Sequence, residues 1–127
     1  MATARRFEDL VVWQEARDLS QAVEDWIKES PNIDVAYLDQ LRRAILSVQL
    51  NIAEGFDRFR HADFHRFLTM AKGSLAEVRA LLHHGLDRGF VTRATCAELV
   101  AKAERLARRL ATLMRYLRGM RKQKEGR

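Results

Sequence analysis

Apolar residues recur along this chain at alternating steps of three and four, in four successive blocks. From about Asp9 to Glu29, the residues Val12, Ala16, Leu19, Val23 and Trp26 fall on one face of a helix, and Trp13 and Ile27 widen it. Ser30-Pro31-Asn32 stops this block, because proline lacks an amide hydrogen and restricts the residue before it. The second block starts near Asp34, a residue type that caps helix N-termini, and carries Leu38, Leu41, Ile45, Val48, Ile52 and Phe56. Gly55 either ends this helix or loosens its last turns. The third starts at Ala62 or Asp63 and repeats through Phe64, Phe67, Ala71, Leu75, Val78, Leu82 and Leu86. Arg88-Gly89 gives it a basic last turn and a C-terminal glycine. After Phe90-Val91-Thr92, Thr95 and Glu98 have the spacing of a capping box, with Thr92 as a competing cap. Leu99, Ala103, Leu106, Leu110, Leu113 and Leu117 then hold a seam to near Gly119. Residues 120–127 read as a frayed basic tail.

Four amphipathic helices with short links predict an all-α, up-down-up-down antiparallel four-helix bundle. One domain spans residues 1–127, ordered from about 7 to 119, with no internal repeat. A single proline and six glycines leave little material for a strand-and-turn fold. Each helix carries apolar residues off its main stripe: Val11 and Trp13, Leu46 and Leu50, Leu68 and Leu81, Val100 and Met114. A homo-oligomer would bury this excess.

Composition adds limits. Hydrophobic residues make up 47% of the chain, enough for a core. The one cysteine, Cys96, has no partner for an internal disulfide, so a reducing, cytoplasmic setting is expected. No apolar run reaches the roughly 20 residues of a membrane span, and the N-terminus lacks a signal-peptide core, so no membrane partner is expected. A net charge of +6 permits contact with phosphate, acidic proteins or anionic lipid without choosing among them.

Three ordered blocks carry a family resemblance. Phe7 to Leu19 reads FEDLVVWQEARDL, Leu41 to Phe56 reads LRRAILSVQLNIAEGF, and Phe64 to Thr92 reads FHRFLTMAKGSLAEVRALLHHGLDRGFVT. Together they resemble the four-helix-bundle proteins encoded in intervening sequences of bacterial 23S ribosomal RNA genes. Asn51-Ile52-Ala53-Glu54-Gly55 and Gly73-Ser74-Leu75-Ala76-Glu77 are the most specific parts. The resemblance implies a homopentameric ring with no enzymatic activity and no cofactor. It also points to a related accessory protein of diversity-generating retroelements, a basic pentamer that binds nucleic acid and partners a reverse transcriptase. Val48-Gln49-Leu50 stands where the family often has a proline and a small residue, which implies a straighter second helix with a bulkier outer surface.

Asn51 and Glu54 share one helix face beside the apolar stripe. Their expected role is to hydrogen-bond a neighbouring helix or subunit and fix its register, with Arg42, Arg43, Arg66 and Arg79 as candidate partners. Gly55 would allow close approach or a helix end, and Gly73 belongs to the same structural set.

Past Gly55 the chain turns basic and aromatic, with Arg58, Phe59, Arg60, His61, His65 and Arg66. Arg and His can contact phosphate and Phe59 can stack on a base; the competing reading is a charged helix junction with Phe64 and Phe67 in the core. Asp57, His61 and His65 have i, i+4 spacing, suited to a metal only if one helix carries all three. No metal site is expected, because a break at Gly55 or between Phe59 and Ala62 would separate them, and the sequence places no Cys nearby and no Glu-x-x-His pair. His83 and His84 point to different faces, one near the core edge. Cys96, with no companion histidine, reads as a packing residue.

The strongest charge feature is C-terminal: Arg105, Arg108, Arg109, Arg115, Arg118, Arg121, Lys122, Lys124 and Arg127, with Glu125 as the only acid after Glu104. Repeated around a ring, it would present a basic rim to RNA or DNA, held mainly by phosphate contacts. The alternative is a protein-interaction scaffold without nucleic-acid binding, docking partners through residues such as Trp13 or Leu50.

Overall fold

The computed structural model describes residues 4–58 and 60–125, the side chains as far as residue 120. Four helices form the bundle: α1 (Val11–Lys28), α2 (Val35–Asp57), α3 (His61–Asp87) and α4 (Arg93–Glu125). Each packs against two neighbours, and among the described residues the backbones of the diagonal pairs α1–α3 and α2–α4 stay more than 8 Å apart at every Cα. The α2–α3 pairing is the most extensive. This is the antiparallel bundle that the sequence pattern predicts.

The ends of the helices follow local chemistry. A single 3-10 turn, Phe7–Asp9, precedes α1, so the helix starts two residues later than the apolar pattern suggests. Phe7 packs edge-on against Trp13 with ring centroids 5.1 Å apart, and Gln14 Nε2 donates to the Glu8 carbonyl at 2.9 Å. Trp13 therefore has a partner within the chain. Asp34 caps α2, its carboxylate accepting from the Tyr37 amide at 3.1 Å. Thr92, not Thr95, caps α4: its hydroxyl accepts from the Thr95 amide at 3.2 Å, and Thr95 lies inside the helix. At the end of α3 the Phe90 amide donates to Gly85 and the Gly89 amide to Leu86, at 2.8 and 3.1 Å. That pair of bonds needs a left-handed residue between them, and Gly89 supplies it at φ 77°.

Gly55 neither ends nor loosens α2. The helix runs through it to Asp57, and Gly55 is buried against α3. A Cβ there would lie 2.6 Å from Phe67 Cβ and 3.1 Å from Phe64 Cδ1. Close approach is the reason for this glycine. Gly73 is different, since a Cβ there would meet nothing within 4 Å.

The core runs the length of the bundle. Leu41, Ile52, Leu68, Leu75, Leu82, Leu106 and Leu110 are fully enclosed, and among the described residues no polar or charged residue is buried with them. Leu68 was expected outside the stripe and is instead central. Leu81, Val100 and Met114 are partly covered and pack on the core. The apolar excess available to a partner shrinks to Val11, Leu46 and Leu50, joined by Val35, Met70 and Tyr116. Tyr37, which the stripe did not include, is in the core; its hydroxyl donates to the Leu81 carbonyl at 2.6 Å, and burial pushes its pKa up to about 12.

Candidate nucleic-acid interface

The junction between α2 and α3 is a tight corner. The Arg58 amide donates to Gly55 and the Arg60 amide to Arg58, at 3.3 and 2.8 Å, reversing the chain between two long helices. Arg58, Arg60 and Arg66 are all exposed there. Phe67 is buried beneath them, and its ring carries two guanidiniums, Arg58 at 5.0 Å and Arg66 at 4.6 Å from the ring centroid. A fixed ring orders two cations at the surface, worth about 0.5–1 kcal/mol each at exposed sites. Arg58 also pairs with Glu54 at 3.0 Å. Phe64 and Phe67 are core residues, as expected, and Phe64 meets Phe56 edge-on at 5.8 Å. Phe59 lies outside the described residues.

Within the chain, Asn51 and Glu54 bond along their own helix or to the residue that caps it. Asn51 Nδ2 donates to the Ser47 carbonyl at 2.8 Å and to Ser47 Oγ at 3.1 Å, both on its own helix. Ser47 Oγ in turn meets Ser74 Oγ of α3 at 2.8 Å. The amide thus reaches the next helix only through a serine pair. Glu54 takes Arg58, one turn along, in place of Arg42, Arg43, Arg66 or Arg79. Arg42 forks onto Glu24 of α1 at 2.6 and 2.9 Å, which holds that carboxyl below the usual glutamate range.

Asp57 closes α2 while His61 opens α3, so the three-residue ladder with His65 does not lie on one helix. Among the described residues no group of three or more His, Cys, Asp or Glu side chains is placed to hold a metal ion. His83 and His84 are both exposed, His84 with its ring centroid 6.1 Å from that of Tyr37. Cys96 is buried with Sγ 3.5 Å from the Leu82 carbonyl, and burial, helped by the Asp87 charge, pushes its thiol pKa up. It is a packing residue, not an activated nucleophile.

On α4, Arg109 pairs with Glu15 of α1, and Arg115 donates to Thr112 Oγ1 at 3.2 Å. Arg105, Arg108 and Arg118 are exposed and have no acidic partner among the described residues. The side chains of Arg121, Lys122, Lys124 and Arg127 lie outside the described residues.

The two basic groups come from opposite halves of the chain and share one end of the bundle. The Cys96–Leu82 contact sets the register of α4 on α3. Counting outwards along the antiparallel pair brings Leu117 level with His61. Arg115 and Arg118 therefore stand at the same end as Arg58, Arg60 and Arg66. No motif in the sequence signals this; only the helix order and lengths do. The pattern also gave no sign of an open groove of roughly 830 Å³ between α1 and α4, lined by Leu10, Val11, Leu113, Tyr116, Arg105 and Arg108 among others. Among the described residues no helix is long and apolar enough to cross a membrane.

The fold and this end of the molecule define an antiparallel four-helix bundle with a cationic pole. The chain belongs to the 23S rRNA-intervening sequence protein family, which it matches over residues 8–112. Among solved structures it resembles a protein of unknown function from the S23 ribosomal protein family of Bacteroides thetaiotaomicron VPI-5482. The two are 19% identical, with a TM-score of 0.73 over 82% of this chain and 98% of that one, a likeness of fold. No curated protein matches the chain.

Proposed function

We propose that this protein is a non-enzymatic, homo-oligomeric bundle that binds RNA or DNA through its cationic end. On the family resemblance it is a pentamer, working in the cytoplasm as an accessory factor to another protein, with a reverse transcriptase as one candidate partner. The observation that carries the reading is the shared end of Arg58, Arg60 and Arg66 with Arg115 and Arg118. Two of these guanidiniums are already ordered on Phe67, which lowers the entropy cost of gripping phosphate. A rotationally symmetric assembly would repeat the pole and add its fields.

Phosphate contact dominates such binding, so affinity should fall steeply with salt and depend weakly on sequence. The test mixes nuclease-treated protein with structured RNA, single-stranded DNA and duplex DNA over a salt series. Neutralising Arg115, Arg118, Arg121 and Lys122 together should abolish binding, and neutralising Arg58, Arg60 and Arg66 should weaken it at least tenfold. Both variants should keep the wild-type circular dichroism. Absence of binding at low salt would refute the reading. The second reading, a protein-interaction scaffold without nucleic-acid binding, is favoured by the exposed Leu50 and Val11, at 56% and 51%. A defined protein partner retained after nuclease and high salt would support it.

A further inference from the structure

The groove between α1 and α4 is not uniform along its length. The Arg109–Glu15 ion pair sets the register of the two helices. Because they run antiparallel, Val11 stands level with Leu113, about 6 Å nearer the cationic end than that pair. Tyr116 lies almost one turn further on. The apolar lining of Leu10, Val11, Leu113 and Tyr116 is therefore gathered at that end of the groove. Arg105 and Arg108 line the other end. From Arg105 to Tyr116 the groove follows α4 for roughly 16 Å.

Charge divides along the same axis. Three arginines and one acid line the groove, and Glu15 holds Arg109. Arg105 and Arg108 have no ion-pair partner among the described residues. Asp18, almost one turn along α1 from Glu15, and Glu104, beside Arg105, are exposed acids nearby; neither lines the groove and neither pairs with these arginines. Asp9, the lining acid, belongs to the 3-10 turn before α1 and so lies at the apolar end. A negative group is drawn to the arginine end and repelled from the Asp9 end. A polyanion would carry charge to both ends, whereas a single anionic head on an alkyl chain places its charge at one. The volume of roughly 830 Å³ is within the range of small-molecule sites.

We propose that the α1–α4 groove binds a long-chain carboxylate, its head on Arg105 and Arg108 and its chain along Val11, Leu113 and Tyr116. A guanidinium grips a carboxylate through two parallel N–H···O bonds. The chain covers Val11 and Tyr116, which are 51% and 42% exposed without it. An extended dodecyl chain has about the length of the groove. The site uses none of the five arginines of the cationic end, so it stands independently of nucleic-acid binding.

The test is calorimetric titration of the full chain with dodecanoate, butanoate and dodecyltrimethylammonium below their micelle concentrations. Dodecanoate should bind once per chain. It should bind at least about tenfold tighter than butanoate, which lacks the chain, and than dodecyltrimethylammonium, which reverses the charge. Arg105→Gln with Arg108→Gln should weaken dodecanoate binding at least about tenfold. Val11→Asp, which puts a charge against the chain, should do the same. An acid in a first helical turn is favourable, so that variant should keep the wild-type circular dichroism. Absence of saturable dodecanoate binding, equal affinity for the two head charges, or unchanged binding in either variant would overturn the proposal. Two other occupants would also overturn it. Capture on phosphatidylglycerol vesicles without uptake of free dodecanoate would assign the groove to a lipid surface. A changed mass in solution for Val11→Asp, with dodecanoate binding intact, would assign it to a second copy of the chain.

Discussion

Gly55→Ala tests the α2–α3 contact at its closest point. The added Cβ would lie 2.6 Å from Phe67 Cβ, and neither atom can rotate away because both are fixed by helix backbone. Ordinary carbon contacts need about 3.5–4.0 Å, so the helices must part by about 1 Å or shear. Overpacking of this kind costs about 1–3 kcal/mol. Alanine also gains about 1 kcal/mol over glycine in helix propensity, which hides part of the cost. Gly73→Ala supplies the correction, for it lies mid-helix in α3 with nothing within 4 Å of its would-be Cβ. Both variants gain the propensity term, so their difference isolates the contact. Gly73→Ala should be stabilising by up to about 1 kcal/mol, and Gly55→Ala should fall about 1–3 kcal/mol below it. The assay is urea unfolding followed by far-UV circular dichroism at several protein concentrations, which separates chain stability from assembly. Equal midpoints for the two variants would refute the close-approach account of Gly55.

Two further outcomes follow from caps and burial. Thr92→Ala should cost about 1 kcal/mol in the same assay, whereas Thr95→Ala should stay within about 0.5 kcal/mol, because only Thr92 satisfies a free amide. Tyr37 is held neutral by burial, with its pKa at about 12 against an ordinary value of 10.0. Its contribution is complete below the unfolded value and is lost as pH rises through the folded one, since the unfolded chain releases the proton first. Between those two pH values wild-type stability should fall by up to roughly 2 kcal/mol more than that of Tyr37→Phe, as measured by urea midpoints at each pH. Parallel pH profiles for the two proteins would contradict a neutral, buried Tyr37.

The candidate site was legible only in pieces. The two runs of arginine are visible in the chain because charge is a property of each residue. Their meeting at one pole is not, since it depends on the lengths of α3 and α4 and the register that Cys96 and Leu82 impose. The partner of Asn51 within the chain was not legible for a related reason: a polar residue beside an apolar stripe needs a partner, and the nearest one, Ser47, is on its own helix. Glu54 likewise found a cation one turn away before any more distant arginine could compete.

Helix periodicity is local, so the sequence by itself determined the four helices, the antiparallel order and the caps at Asp34 and Gly89. It also determined that Phe64 and Phe67 would be core, because their spacing puts them on one face. Tertiary structure decided what depends on distances between helices. It drew Leu68 and Tyr37 into the core, gave Trp13 a partner in Phe7, and decided between the two readings of Gly55 in favour of close approach. It alone brought the arginines of the α2–α3 corner and those of α4 to one end of the bundle. The physical reason is that a residue's helical face follows from its own few neighbours, whereas what that face meets follows from the packing of the whole chain.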